Sequence, residues 1–104
     1  MSTLNDVNAE VVAQIVRDLS DKSSLELKSI MITGLAEEAG EVSGLYKREL
    51  RNFSKDAARC TREHYVEELG DVLWYLVGVA FTHGIMLQEI WDYNMAKLEE
   101  RYGA

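Results

Sequence analysis

The sequence has no proline, a single cysteine and no long run of apolar residues, and each absence limits what the chain can be. Proline removes a backbone hydrogen bond from a helix and clashes with the preceding turn, so its absence is compatible with long uninterrupted helices. One cysteine, Cys60, excludes a disulfide within the chain. Since there is neither a secretory signal nor an apolar stretch of about 18 residues, we expect a cytoplasmic protein that does not enter a membrane.

Basic residues are also scarce, because 11 lysines and arginines stand against 18 aspartates and glutamates, for a net charge of −7. This balance argues against nucleic acid as a partner, since binding to the phosphate backbone requires a positive surface. A chain of 104 residues is long enough for one core, so we expect a single domain over residues 1–104.

The excess negative charge is concentrated in a short motif that occurs twice, thirty positions apart. Residues 37–42 read Glu-Glu-Ala-Gly-Glu-Val, and residues 67–72 read Glu-Glu-Leu-Gly-Asp-Val. Helical residues three positions apart share a face, with Cβ atoms roughly 5–6 Å from each other. The carboxylates paired in this way are Glu38 with Glu41, and Glu68 with Asp71.

Both copies of the motif depart from the local preferences of a helix in the same way. Like charges on one helical face repel, and Gly40 and Gly70 each cost roughly 1 kcal/mol relative to alanine in a helix. Repeated departures of this kind are typical of a functional site. We therefore expect the four carboxylates to converge from two facing helices on divalent cations. A set of carboxylates favours Mg²⁺, with Mn²⁺ as a possible substitute, over zinc.

Apolar periodicity and capping residues predict an all-α fold, a four-helix bundle completed by oligomerisation. The second and third helices should run antiparallel with Gly40 near Gly70. The third helix is apolar on nearly every side, which indicates a neighbouring subunit. The fourth helix should face the core through Ile90, Trp91 and Leu98. The predicted helices run from a cap at Asn5 to about Leu19, from a cap at Ser23 to about Leu50, from a cap at Thr61 to Gly84, and from Leu87 to Tyr102.

The two acidic copies, in this order and on helices, resemble the signature of MazG-like nucleoside triphosphate pyrophosphohydrolases, of the all-α NTP pyrophosphatase superfamily. The resemblance extends over residues 35–102, about two thirds of the chain. It includes the run Glu-Glu-Leu-Gly-Asp-Val-Leu-Trp-Tyr-Leu and an Asn-x-x-Lys-x-x-x-Arg tail at 94–101.

This resemblance implies a Mg²⁺-dependent enzyme that hydrolyses (d)NTP to (d)NMP and pyrophosphate, with a role in nucleotide-pool house-cleaning, and that forms a homodimer or homotetramer. It also implies roles for individual residues. The implied metal ligands are Glu38, Glu41, Glu68 and Asp71; the implied catalytic carboxylates are Glu37, as an outer-shell or water-orienting group, and Glu38; the implied substrate-binding residues are Tyr75, Asn94, Lys97 and Arg101.

Two other interpretations of the motif stay open. One is a non-enzymatic helical interaction module whose acidic surface binds a basic partner. The other is an enzyme similar to phosphoribosyl-ATP pyrophosphohydrolase, which belongs to the same superfamily. The preferred base is not specified by any spacing, and we expect it to depend on side chains from the first helix, residues 51–60 or a neighbouring subunit.

Overall fold

The computed structural model describes residues 2–51 and 61–103, and within these ranges all regular structure is α-helical. This confirms the predicted all-α fold, whereas its completion by oligomerisation stays a prediction. Residues 52–60, which include Cys60 and most of the connection expected to influence base selection, lie outside the described residues. The helices are α1 (Leu4–Leu19), α2 (Ser24–Arg51), α3 (Arg62–Thr82) and α4 (Leu87–Tyr102).

Short-range capping sets the starts of α2 and α3 as predicted. At the start of α2, the Ser23 amide donates to Glu26 Oε1 at 2.9 Å and the Glu26 amide donates to Ser23 Oγ at 3.1 Å. This is a reciprocal capping box. Thr61 caps α3 by accepting a hydrogen bond from the amide of His64. After α3, Gly84 has a φ of +67°, a left-handed conformation that glycine adopts without strain.

The predicted cap of α1 at Asn5 is wrong, because the cap is Thr3. The Asp6 amide donates to Thr3 Oγ1 at 3.1 Å, and the Thr3 amide donates to Asp6 Oδ2 at 3.0 Å. Thr3 and Asp6 have the three-residue spacing of a capping box, and Asn5 lies inside the helix that they start.

Helices α2 and α3 run antiparallel and approach closely at two glycines. A Cβ atom placed on Gly34 would collide with the ring of Tyr75, and one placed on Gly78 would collide with the side chain of Met31. These two contacts fix the axial position of one helix relative to the other. The core that surrounds them draws on every helix, with its buried apolar residues at Val11, Ile15, Met31, Val77 and Leu87.

The two motif glycines do not take part in this close approach. Apart from its own stretch of helix, a Cβ atom added at Gly40 or Gly70 would meet no atom of the described chain within 4 Å. Neither glycine makes a close interhelical contact, and both positions are exposed. The nearness of Gly40 to Gly70 stays a prediction.

Helix α4 leaves the bundle instead of packing along it. The axes of α3 and α4 meet at 97°, and the main contacts of α4 are with α1. The prediction that Ile90, Trp91 and Leu98 face the core is wrong, because these side chains are 37%, 53% and 38% exposed. Only the first turn of α4, through Leu87, reaches the core.

The start of α4 is held by a residue from the other end of the chain. Met86 stands at the N-cap position, and its side chain makes no capping hydrogen bond to the helix backbone. The Leu87 amide donates instead to Oδ1 of the buried Asn8, at 2.8 Å, and Asn8 Nδ2 lies 3.6 Å from Met86 Sδ. A long-range side chain thus performs the function that serine or aspartate usually performs locally.

In the described part of the chain, no single helix is both long and apolar enough to span a membrane. Helices α3 and α4 have the length and apolar composition of a membrane span only when they are taken together, as a bent pair.

Replacing Asn8 with alanine should lower the free energy of unfolding by about 1–2 kcal/mol, because the buried Leu87 amide would lose its acceptor. The matched control is Asn5→Ala, an exposed asparagine on the same helix, for which we expect a change within about 0.5 kcal/mol. Urea unfolding of both variants at one protein concentration measures the difference. Equal effects of the two substitutions would contradict the assignment of Asn8 as the cap of α4.

Candidate functional site

The site begins from the axial position that the glycine contacts impose on α2 and α3. Gly34 of α2 lies against Tyr75 of α3. Because the two helices are antiparallel, the turn that follows Gly34 on α2 lies beside the turn that precedes Tyr75 on α3. Glu38 and Asp71, each four residues from a contact residue, are therefore brought to the same level. The repeated motif supplies the carboxylates, and the packing of the core places them opposite each other.

Three of the four expected metal ligands come together at this level. Glu38, Glu68 and Asp71 each present a carboxylate oxygen, and these oxygens all lie within 4.8 Å of one another. Glu38 and Glu68 are half-buried, whereas Asp71 is exposed. We call these three residues the acidic triad. The fourth, Glu41, is exposed on α2 and is not part of this group.

The electrostatics of the site are most evident at Glu38. Partial burial raises the pKa of the Glu38 carboxyl, and the negative charges of its neighbours raise it further. Those neighbours, in decreasing order of effect, are Asp71, Glu68, Glu37 and Glu41. Glu38 and these four neighbours, five carboxylates in all, therefore contribute to one negative field.

No lysine or arginine in the described ranges forms an ion pair with the acidic triad. The ion pairs of these ranges join Arg17 to Asp18 and Lys22 to Asp21, near the end of α1. A cluster of carboxylates without a positive partner is unfavourable by itself, and a bound divalent cation removes the repulsion. The donor set, oxygen only and from three carboxylates, fits Mg²⁺ or Mn²⁺.

A pocket of about 350 Å³ opens beside the triad and has one acidic and one aromatic side. Glu38 and Asp71 line the first side, and Trp74 and Tyr75 line the second. The two rings meet edge to face, with centroids 5.0 Å apart and planes at 76°. Both aromatic residues lie three or four positions after Asp71, so α3 presents all three on one face.

The remaining expected site residues are distributed over the surface. Tyr75 lines the acidic pocket, and Glu37 is exposed on α2 beside the triad. Asn94 lines a different cavity, an apolar groove of about 520 Å³ between α3 and α4. Lys97 and Arg101 lie further along α4 and do not line the acidic pocket.

Two residues of the site were not predicted from the sequence. Trp74 could have been found, because it lies three residues after Asp71 and so shares its helical face. Gln14, which accepts a hydrogen bond from the Trp74 indole, comes from α1, and nothing in the sequence near it indicates the contact.

Comparison with known proteins identifies the family of the chain. The model of the MazG nucleotide pyrophosphohydrolase domain matches residues 26–103, which include both acidic copies. The chain belongs to this MazG family. It is also 33% identical over 81 residues to the Gene 37 protein of Mycobacterium phage L5, a match that covers 78% of this chain and 71% of the phage protein. No solved structure matches it.

The MazG match locates the site within the family domain and leaves α1 outside it. Helices α2, α3 and α4 all fall within the matched segment, apart from the first residues of α2. Helix α1, with Asn8 and Gln14, precedes that segment. The MazG domain therefore supplies the triad, and α1 supplies additional contacts to α3 and α4.

Replacing Glu38 with glutamine should raise the melting temperature in EDTA at neutral pH, because it removes a carboxylate from a repelling cluster. The pKa of Glu38 is raised in the folded protein, so its charge destabilises the fold above that pKa. The destabilisation is relieved as the pH falls through the folded pKa toward the ordinary value. The advantage of Glu38→Gln should therefore shrink in acid.

Melting curves with and without Mg²⁺ provide the measurement. Mg²⁺ should stabilise the natural protein according to its affinity, and the Glu38→Gln variant less. The control is Glu63→Gln, an exposed position in the first turn of α3, which should not gain stability in EDTA. A lower melting temperature for Glu38→Gln in EDTA would show that Glu38 has a structural cationic partner instead.

Proposed function

We propose that the protein is a Mg²⁺-dependent nucleoside triphosphate pyrophosphohydrolase. It cleaves the bond between the α- and β-phosphates of a (d)NTP by addition of water and releases (d)NMP and pyrophosphate, in a nucleotide-pool house-cleaning role. The observation that supports this most strongly is the acidic triad without a positive partner in the described chain, beside an aromatic pocket in a MazG domain.

The residues of the triad would hold the ion, and their charge explains why the substrate requires it. A triphosphate and a carboxylate cluster repel each other. When bound, Mg²⁺ would neutralise phosphate charge and lower the pKa of water. Glu38, Glu68 and Asp71 supply the oxygen ligands, with Glu41 on the next turn of α2 as the fourth carboxylate.

Glu37 is the candidate for handling the proton of the attacking water. It is exposed and close enough to the triad to raise the pKa of Glu38. Its carboxylate would orient water and accept the proton that water loses. The pocket beside the triad is within the range of about 300–1,000 Å³ that small-molecule sites occupy, and its aromatic side is suited to the nucleoside part of the substrate.

A homodimer or homotetramer is the assembly that fits this chain. The single chain has a radius of gyration of 16.6 Å, compared with about 13 Å for a compact domain of this length. Leu73, Ile90 and Trp91 line the apolar groove between α3 and α4 and are exposed. A second subunit would cover this groove. Asn94, Lys97 and Arg101 on α4 of that second subunit would then bind the phosphates at the acidic pocket of the first.

Pyrophosphate release from NTPs and dNTPs should require Mg²⁺ or Mn²⁺ and fall by about 100-fold or more in Asp71→Asn, because this variant lacks one ligand of the ion. Asp18→Asn is the control, an exposed aspartate at the end of α1. Full turnover by Asp71→Asn would remove the triad from the mechanism. Absence of release from every nucleotide, together with a melting temperature that Mg²⁺ does not change, would favour an interaction module.

Light scattering at micromolar concentration should give at least twice the monomer mass of 11.8 kDa. Trp91→Glu should shift the protein toward the monomer, since it puts a charge into the groove. Leu25→Glu is the matched control, because Leu25 is 75% exposed and lies on α2, outside the groove. A monomeric natural protein, or equal dissociation by the two substitutions, would contradict the groove as the interface.

A further inference from the structure

The aromatic side of the acidic pocket is held from α1 by a side-chain hydrogen bond. Trp74 Nε1 donates to Gln14 Oε1 at 2.8 Å, and the bond is partly buried. An indole has a single donor, and here that donor is directed to α1, 60 residues earlier in the chain. The edge of the ring that carries the nitrogen is therefore fixed, while Trp74 still lines the pocket.

The amide of Gln14 is itself oriented by a second contact on α1. Gln14 Nε2 donates to Glu10 Oε1 at 3.3 Å. With its nitrogen directed to Glu10, the amide turns its carbonyl oxygen toward Trp74, which is the orientation that the indole N–H requires. The connection Glu10–Gln14–Trp74 therefore sets one ring of the pocket from outside the two helices that carry the acidic triad.

The second ring is held by a different contact, so that the aromatic side is set at two points. Tyr75 packs against the bare backbone of Gly34 and meets Trp74 edge to face at 5.0 Å. A ring fixed in this way can stack with a flat ligand without first being ordered, which saves conformational entropy on binding.

We propose that Gln14 is a positioning residue that holds the indole of Trp74 as the surface on which the base of the nucleotide stacks. This inference rests on the proposed function and adds how the substrate is recognised. Phosphates are directed by charge and metal to the triad, whereas the aromatic side offers an uncharged surface suited to a base. Stacking of a base on an aromatic ring contributes roughly 5- to 150-fold in affinity and is tolerant of sequence.

The first test compares Gln14→Leu, which removes the acceptor at similar size, with Gln14→Glu, which retains an acceptor oxygen. Gln14→Leu should raise KM for the best nucleoside triphosphate by about tenfold and leave kcat within about twofold. The reason is that binding of the base is weakened equally in the ground state and in the transition state. Gln14→Glu should restore KM to near the natural value. The control is Gln88→Leu, a glutamine on α4 that donates to Asp92.

The second test measures binding without turnover. The chain has two tryptophans, so in a Trp91→Phe background the emission reports on Trp74. A non-hydrolysable α,β-methylene nucleoside triphosphate with Mg²⁺ should quench this emission, and Gln14→Leu should weaken its binding by about tenfold. Inorganic triphosphate, which has no base, should bind both proteins equally by calorimetry.

The outcomes separate this inference from the proposed function. Equal weakening of the analogue and of inorganic triphosphate, or an unchanged KM in Gln14→Leu, would overturn the role of Gln14 and leave the hydrolase assignment intact. Quenching that depends on Gln14 in a protein with no turnover would support the role of Gln14 and overturn the hydrolase assignment.

Discussion

The close packing of α2 against α3 is the constraint on which the rest of the structure depends. Two glycines allow it, because Gly34 receives the ring of Tyr75 and Gly78 receives the side chain of Met31. A side chain at either glycine would collide with Tyr75 or Met31, so one of these side chains or the helix that carries it would have to move. The same two contacts that build the core thus decide that Glu38 lies opposite Glu68 and Asp71. Packing of apolar groups and convergence of charged groups are consequences of one arrangement.

The acidic triad is electrostatically unfavourable for the chain that carries it. Burial and four neighbouring carboxylates raise the pKa of Glu38, and no basic side chain of the described ranges relieves the repulsion. A protein selected only for stability would not retain such a cluster, whereas a metal site requires it. The antiparallel core has to be stable enough to hold the carboxylates together against their mutual repulsion.

Helix α1 stabilises the positions of α3 and α4, although it precedes the segment that matches the MazG family model. Asn8 accepts the amide hydrogen that begins α4, and Gln14 accepts the indole hydrogen of Trp74 on α3. On the same helix, Val11 and Ile15 enter the core. One helix therefore contributes apolar packing, the cap of a distant helix and the orientation of a pocket ring. Helix α4 carries Lys97 and Arg101 at positions that do not line the acidic pocket of their own chain.

The sequence by itself determined the features that depend on neighbours a few residues apart. The capping box of Ser23 and Glu26, the cap at Thr61, the turn at Gly84 and the carboxylates on shared helical faces follow from local spacing. Even the error at Asn5 was local, since Thr3 and Asp6 carried the stronger signal. The tertiary structure alone decided the direction of α4, which exposes Ile90 and Trp91, and the contacts of Asn8 and Gln14. Those contacts span 79 and 60 residues, and periodicity within a helix cannot specify which distant backbone or side chain a polar group will meet.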